Sequence, residues 1–365
     1  MKILMVGLGS IGQRHLRNIK RLFGEEAEIL AYRVRRLSRT FSDDMQIRDG
    51  VDLEKEFGIK VYDDLDKALS EKPDAVFVTN ITSKHTETAL KAALSGAAVF
   101  LEKPVSDCTD GLKELKRIVD EKGTVLYMGY QNRFHPCISD VRSVLGDERL
   151  GKVISVDNEF SERLTTMHRY EDYKDTYMAR KDMGGGPVLN LQIHCLDYLQ
   201  LLFGTPVDVY SVCSTLSGLS VDVEDTAGSL YRFKENDGRM ITVYSHTDFL
   251  QFPPVHRLKV VCEKGRIEAD FNAAVTNIYA GDEPVQTITV TATVVVSADL
   301  DEDTVYDLTA ALFDHASGIA KENAKGKELN LETATEGMEA PFHAGAAKYY
   351  KEHGITVNTG DEEEK

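Results

Sequence analysis

The 365-residue chain has no tryptophan and only five cysteines. Cys108, Cys137, Cys195, Cys213 and Cys262 are scattered without a C-x-x-C pair, so neither a zinc site nor a disulfide framework is indicated, and no metal is expected. Reduced thiols are the default expectation. Long hydrophobic runs are missing as well. The apolar stretch before Gly7 is too short for a signal peptide, and no later segment approaches the length that spans a bilayer. The expectation is a soluble, cytoplasmic protein without a membrane partner. Positive charge is in deficit: 43 Lys and Arg face 60 Asp and Glu, a net charge of −17 that argues against nucleic acid and anionic membrane surfaces as partners. An anionic ligand has to be met by local donors.

One such place is written into the first residues. The apolar run Lys2–Val6 leads into Gly7-Leu8-Gly9-Ser10-Ile11-Gly12, a G-x-G-x-x-G turn. Gly7 allows a tight turn, Gly9 lets the backbone approach a pyrophosphate, and Gly12 lets the next helix pack close to the strand. The N-terminus of the following helix then faces an anion with free N–H groups. A helical stretch from Gln13 to Leu22 and an apolar strand from Glu28 to Tyr32 complete the βαβ unit that the motif requires. About twenty residues beyond the glycines, where an acidic ribose reader is expected, the chain reads Tyr32-Arg33-Val34-Arg35-Arg36. Arginines suit a 2′-phosphate, so NADP is favoured over NAD. The alternative is a basic surface turn, with NAD read through backbone and Thr79-Asn80 contacts.

The length exceeds what one hydrophobic core usually organises. Apolar runs at Ile3–Val6, Ile29–Tyr32, Ala75–Thr79, Val99–Leu101 and Val125–Gly129 alternate with helical segments, which predicts an α/β, doubly wound parallel sheet over residues 1–132. Beyond it, period-two alternation at Lys152–Ser161, Val207–Thr215, Ala227–Phe233, Met240–Asp248, Leu258–Cys262 and Gln286–Ser297 predicts a mostly antiparallel open sheet. Helices at Pro187–Phe203, Thr304–Asn323 and Thr333–His353 complete an α+β domain over 133–358, followed by an acidic tail, 359–365. Neither face of the Gln286–Ser297 stretch carries charge, so a covered sheet face, and with it a homo-oligomer (dimer or tetramer), is expected.

Further segments follow in order: Thr79-Asn80 with His85, Glu102-Lys103-Pro104, Asn132-Arg133-Phe134, Gly184-Gly185-Gly186 followed by His194 and Asp197, and Val223-Glu224-Asp225-Thr226-Ala227. This set resembles the glucose-fructose oxidoreductase, inositol dehydrogenase and rhizopine catabolism family of nicotinamide-dependent oxidoreductases, over almost the whole chain. The resemblance implies a Rossmann domain followed by an α+β domain whose open sheet often builds the oligomer interface. It implies hydride transfer between NAD(P) and a secondary alcohol or ketone of a sugar, cyclitol or nucleotide sugar. The cofactor would meet Gly7, Gly9, Ser10, Ile11, Gly12, Arg33, Arg35, Arg36, Thr79, Asn80, His85, Glu102, Lys103 and Asn132.

Lys103 carries the clearest chemistry. An ammonium at a strand end, held before a proline, can hydrogen-bond a reacting oxygen as alkoxide charge develops. His194, on an apolar helix, reads by residue type as a satisfied core histidine; the resemblance instead makes it the general base for the alcohol proton. Asp197 either orients that ring or holds a structural position. Asn190 departs from the family, which more often has aspartate there, and asparagine cannot supply a full negative charge. Arg133, Arg163, Tyr177 and Arg180, together with Lys103, Asn190 and His194, are the expected substrate contacts. The alternative from another class is a non-catalytic dinucleotide- or sugar-sensing regulatory protein of the same fold.

Overall fold

The computed structural model describes the chain apart from residues 36–37, 43–46, 282, 285–293, 323–325, 327–328, 336–337, 339 and 361–365. The chain divides into two compact units, Met1–Ile288 and Thr289–Lys365. The first unit opens with β1 (Lys2–Val6), α1 (Ser10–Phe23) and β2 (Glu28–Tyr32), then an antiparallel pair, β3 (Arg39–Phe41) and β4 (Ile47–Asp49). It continues through α2 (Leu53–Phe57), β5 (Lys60–Tyr62), α3 (Leu65–Ser70), β6 (Ala75–Val78), α4 (His85–Ser95), β7 (Ala98–Leu101), α5 (Leu112–Lys122) and β8 (Leu126–Met128). The sheet order is β5-β2-β1-β6-β7-β8, parallel throughout.

The uninterrupted apolar run of β1 has a physical cause. Leu4 and Val6 join a core with Val76, Val78, Ala89, Ala92 and Leu115, whereas Ile3 and Met5 join another with Leu16, Ile19 and Ile59. A strand covered on both faces has no polar side to show.

The second sheet is built from α6 (Pro136–Gly146), β9 (Val153–Ser161), the short α7 (Leu164–Met167), and a π-helical turn, Val188–Gln192, that runs into α8 (Ile193–Phe203). It is completed by β10 (Pro206–Ser214), β11 (Thr226–Lys234), β12 (Met240–Asp248), β13 (Val255–Cys262), β14 (Gly265–Asp270), β15 (Val275–Ala280) and β16 (Glu283–Pro284). The order is β10-β11-β12-β9-β13-β14-β15-β16; β9 and β12 are parallel and every other pair antiparallel. Helices α6 and α8 cover one face, where Ile138, Val141, Tyr198 and Leu199 pack on Val156, Phe233, Val243, Val260 and Ile267. The expected α/β class with a mostly antiparallel second sheet is what the chain forms. Strands β14 and β15 fall outside the expected ranges, although their buried residues, Ile267, Ala269, Thr276 and Ile278, alternate with outward ones. Residues 286–293 of the strand expected over Gln286–Ser297 lie outside the described residues; Val294–Ser297 carry no regular structure, and Val294 and Val295 are exposed.

The second unit contains α9 (Glu302–Asp314), α10 (Ala316–Glu322) and α11 (Ala344–Glu352). The helix expected over Thr304–Asn323 is interrupted at His315, and the one expected over Thr333–His353 begins only at Ala344, where His343 Nδ1 accepts the Gly345 N–H. Phe313 stacks on Tyr349 at 5.9 Å to hold α9 to α11.

Helix α1 approaches β1 closely at Gly12. A Cβ there would lie inside the contact distance of the Gly7 carbonyl and 2.8 Å from Thr79 Oγ1. Gly12→Ala is expected to cost about 1–3 kcal/mol through overpacking. Urea denaturation should show a lowered midpoint at unchanged slope; a wild-type midpoint would contradict this packing.

Candidate active site

Strand β1 leads into Gly7, whose φ of +95° disfavours any side chain and where an added methyl group would stand 2.8 Å from the Thr79 carbonyl oxygen. Thr79 fixes the turn: its hydroxyl donates to the carbonyls of Val6 (3.1 Å) and Gly7 (2.8 Å). At Gly9, by contrast, a Cβ would meet nothing within 4 Å. The first turn of α1 holds no acidic residue and Gly9 provides no side-chain cap. The N–H groups of Ser10, Ile11 and Gly12 therefore point from the helix end without intrahelical acceptors. This donor set, beside the open space at Gly9, fits the pyrophosphate of a dinucleotide.

Other expected cofactor contacts have protein partners. The Asn80 amide donates to Thr88 Oγ1 (3.0 Å), while its Oδ1 is buried without a partner among the described residues. His85 is buried with its ring nitrogens at the carbonyls of Pro104 (2.7 Å) and Asn80 (3.1 Å), and burial pushes its pKa down. It ties the Asn80 turn to the Pro104 turn. Arg33 is buried, Arg35 is exposed, and Arg36 lies outside the described residues. Asn132 is half-buried in the 3₁₀ turn Gln131–Phe134 that leads out of the first sheet.

Lys103 follows β7 and precedes a cis-Pro104. Its Nζ donates to the backbone carbonyl of Asn190 at 2.9 Å, reaching from the Rossmann part to the π-helical turn before α8. Burial lowers its pKa to about 8, opposed by the charge of Glu102. Glu102 is itself held: Oε2 accepts the Lys103 N–H (3.2 Å), and Oε1 faces His15 Nε2 at 2.7 Å. His15, one turn into α1, lies against Phe77 and Phe100.

His194 is 5% exposed. Its Nδ1 is buried without a hydrogen-bond partner among the described residues. Burial, then the charges of Lys103 and His256, push its pKa well below the usual imidazole value. Lys103, Asn190 and His194 thus come together. Asn190 does not hold the imidazole, because its amide donates to the Gly186 carbonyl at 2.8 Å.

Ion pairs bear on two of the expected residues. Of the two alternatives left for Asp197, its contacts match the structural one: both its oxygens accept from Arg133, with Nε at 2.8 and 3.0 Å and Nη2 at 2.6 Å. The same pair removes Arg133 as an uncommitted cation for substrate. Arg180 is exposed and paired with Asp182 (3.0 Å), and Arg163 is exposed, donates to the Leu250 carbonyl and lies over the Phe252 ring. At Tyr177, burial and then the Glu102 charge push the phenol pKa up.

Comparison with known proteins agrees with this geometry. A family model described as an oxidoreductase family with an NAD-binding Rossmann fold matches residues 1–130, and the GFO/IDH/MocA C-terminal domain matches 138–268. The chain belongs to the Gfo/Idh/MocA oxidoreductase family. An NMT1-like family model also matches residues 263–354. Similar proteins include a D-xylose 1-dehydrogenase (NADP(+)) of Haloferax volcanii, 28% identical over 59% of this chain and 64% of the relative. A trans-1,2-dihydrobenzene-1,2-diol dehydrogenase of Bos taurus is 26% identical over 55% of each chain. The chain thus spans less than two thirds of these two relatives. A myo-inositol 2-dehydrogenase of Thermotoga maritima is 26% identical over 78% of this chain and 79% of its own. Among solved structures, the WlbA dehydrogenase from Bordetella pertussis, in complex with NADH and UDP-GlcNAcA, shares the fold with a TM-score of 0.63 at 22% identity over 78% of each chain.

In this Gfo/Idh/MocA member, Gly9 and Gly12 are separable by what a methyl group would meet. Gly9→Ala should leave folding stability within about 0.5 kcal/mol, since the methyl contacts no protein atom. Dinucleotide binding should fall sharply. Calorimetric titration with NADH and NADPH beside a melting curve checks both halves; unchanged affinity would detach Gly9 from the ligand.

Proposed function

We propose that the protein is an NAD(P)-dependent oxidoreductase acting on a secondary alcohol or ketone of a sugar, cyclitol or nucleotide sugar. The observation that carries this reading is Lys103 reaching the Asn190 carbonyl beside His194, next to a glycine turn that fits a pyrophosphate. The nicotinamide, when bound, accepts or supplies the hydride. Lys103 offers an ammonium to the substrate oxygen, stabilising alkoxide character. His194, neutral at physiological pH, takes the hydroxyl proton in the oxidative direction. Tyr177 borders the same space. Residues 1–132 are assigned to the dinucleotide and the following α+β part to substrate. Assembly is assigned to the open sheet, where Val207, Val209, Tyr210, Val212 and Tyr244 are exposed. NADP is favoured by Arg35, exposed at the end of β2, and by the NADP named for the xylose enzyme.

The pH dependence separates the two catalytic groups. With its pKa pushed well below the usual imidazole value, His194 remains a free base through neutral pH, so activity should persist below the pH at which an ordinary imidazole protonates. Lys103 is charged below about 8 and loses its proton above it, so kcat/KM for oxidation should fall as pH rises through about 8. Lys103→Arg keeps its charge at any working pH and should lose that basic limb. His194→Ala should cost on the order of 10²–10⁴ in turnover. Asn190→Asp should bring an acid limb into range by favouring the imidazolium. Wild-type turnover in all these variants on a confirmed substrate would remove the catalytic assignment; dinucleotide binding without turnover across a broad sugar panel would support the sensor reading.

Cofactor choice is tested at the arginines. The double variant Arg35→Ala, Arg36→Ala should weaken NADP by about 1.5–3 kcal/mol per lost charged hydrogen bond. NAD affinity should hold. Equal losses for both dinucleotides, read by fluorescence titration, would place the arginines elsewhere.

A further inference from the structure

The segment after β9 reaches the β3–β4 pair and sets Tyr170 against β3, beside Ser10 in the first turn of α1. The Tyr170 carbonyl accepts Arg39 Nη1 at 3.1 Å, and the Arg39 guanidinium carbon stands 5.8 Å from the centre of the Tyr170 ring. Phe41 meets the ring edge-on at 4.8 Å and His168 stacks on it at 5.2 Å. The strand carrying Arg39 and Phe41 is fastened to α1 by Gln13, a fully buried amide. Its Nε2 donates to the Arg39 carbonyl (2.8 Å) and its Oε1 accepts the Phe41 N–H (3.0 Å). Tyr170 is thus fixed by its carbonyl, its face and its edge. Its hydroxyl lies beside the Ser10 side chain, in the first turn of α1.

We infer that Tyr170 is a dinucleotide-binding residue supplied from outside the Rossmann part, its hydroxyl donating to the pyrophosphate beside Ser10. The inference rests on the reading that the glycine turn holds a dinucleotide. Arg39, which packs on Tyr170, is paired with Asp49 through Nε at 2.6 Å, so the neutral phenol is the side-chain donor that this segment adds to the backbone N–H groups. Burial keeps that phenol protonated, and only the protonated form can donate. Because Tyr170 and α1 belong to different parts of the fold, one ligand touching both also fastens this segment.

The test uses Tyr170→Phe, which keeps the ring contacts and removes one hydroxyl. In calorimetric titration of the full-length protein, affinity for ADP-ribose and for NADH should fall roughly 10- to 100-fold, the worth of one hydrogen bond to a charged group. The melting temperature without ligand should match wild type. Hydrogen exchange across 164–186 should slow on ADP-ribose addition in wild type and slow less in the variant. Wild-type affinity in Tyr170→Phe overturns the inference while leaving the dinucleotide reading standing, whether or not the variant is less stable. A wild-type protein that binds neither NADH, NADPH nor ADP-ribose overturns both.

Discussion

A half-buried ammonium needs an acceptor, and Lys103 finds its acceptor outside its own sheet, in the π-helical turn before α8. Its Nζ bonds the Asn190 carbonyl at 2.9 Å, while its backbone is anchored at the end of β7 by Glu102 and, through Glu102, by His15 of α1. Burying a charge without a partner is strongly unfavourable, so the arrangement is stable only when the π turn before α8 sits where Lys103 can reach it. The same constraint brings Lys103 close enough to His194 for its charge to act on the imidazole. It also explains why Lys103 has its pKa lowered yet remains largely charged near neutrality: burial acts against the ammonium and Glu102 acts for it.

The π turn could not hold that position without support from the sheet beneath it. Gln192 donates to Ser229 (3.2 Å) and Ser245 (3.0 Å), Ser245 donates to Asn158 (2.8 Å), and Asn158 bonds the hydroxyl of Tyr198 on α8. These are buried polar groups, and each member satisfies the next, which makes the register of the helix on the sheet specific rather than merely apolar. His256 sits beside this network, stacked at 4.0 Å between Phe160 and Phe271, and burial lowers its pKa to about 3. A second charge close to His194 is thereby avoided at neutral pH.

The parallel sheet was readable because both its faces are covered, so β1 has the same apolar character at every residue, and because the glycines follow it directly. Glu102-Lys103-Pro104 was readable for a similar reason: a charged pair immediately after a buried strand. What could not be read are pairings between distant positions. Nothing in Arg133 or Asp197 alone announces that they join across 64 residues, or that Tyr170 returns to Arg39 across 131. The role of His15 had a faint local signal, since it stands one helical turn beyond Gly12, but its partner Glu102 is 87 residues away. His194 illustrates the limit best. By residue type it is a core histidine, and it is indeed 5% exposed; an Nδ1 without a partner among the described residues and the proximity of Lys103 set it apart from a structural one.

These pairings change how a protein of net charge −17 can recognise an anion. The sequence suggested arginines as ligand contacts, yet Arg133 is paired with Asp197 and Arg180 with Asp182; Arg39, which packs on Tyr170, is paired with Asp49. The groups left to face a phosphate at the glycine turn are mainly neutral donors: the first N–H groups of α1, which carry the positive end of the helix dipole, and a phenol held beside them. Neutral donors fixed by the fold need no long side chain to be ordered when the ligand arrives, and they add no buried charge that the empty protein must pair. In an acidic protein this solution keeps attraction local to the helix end, where direction and distance decide what binds, and leaves the wider negative field to disfavour polyanions that lack the right shape.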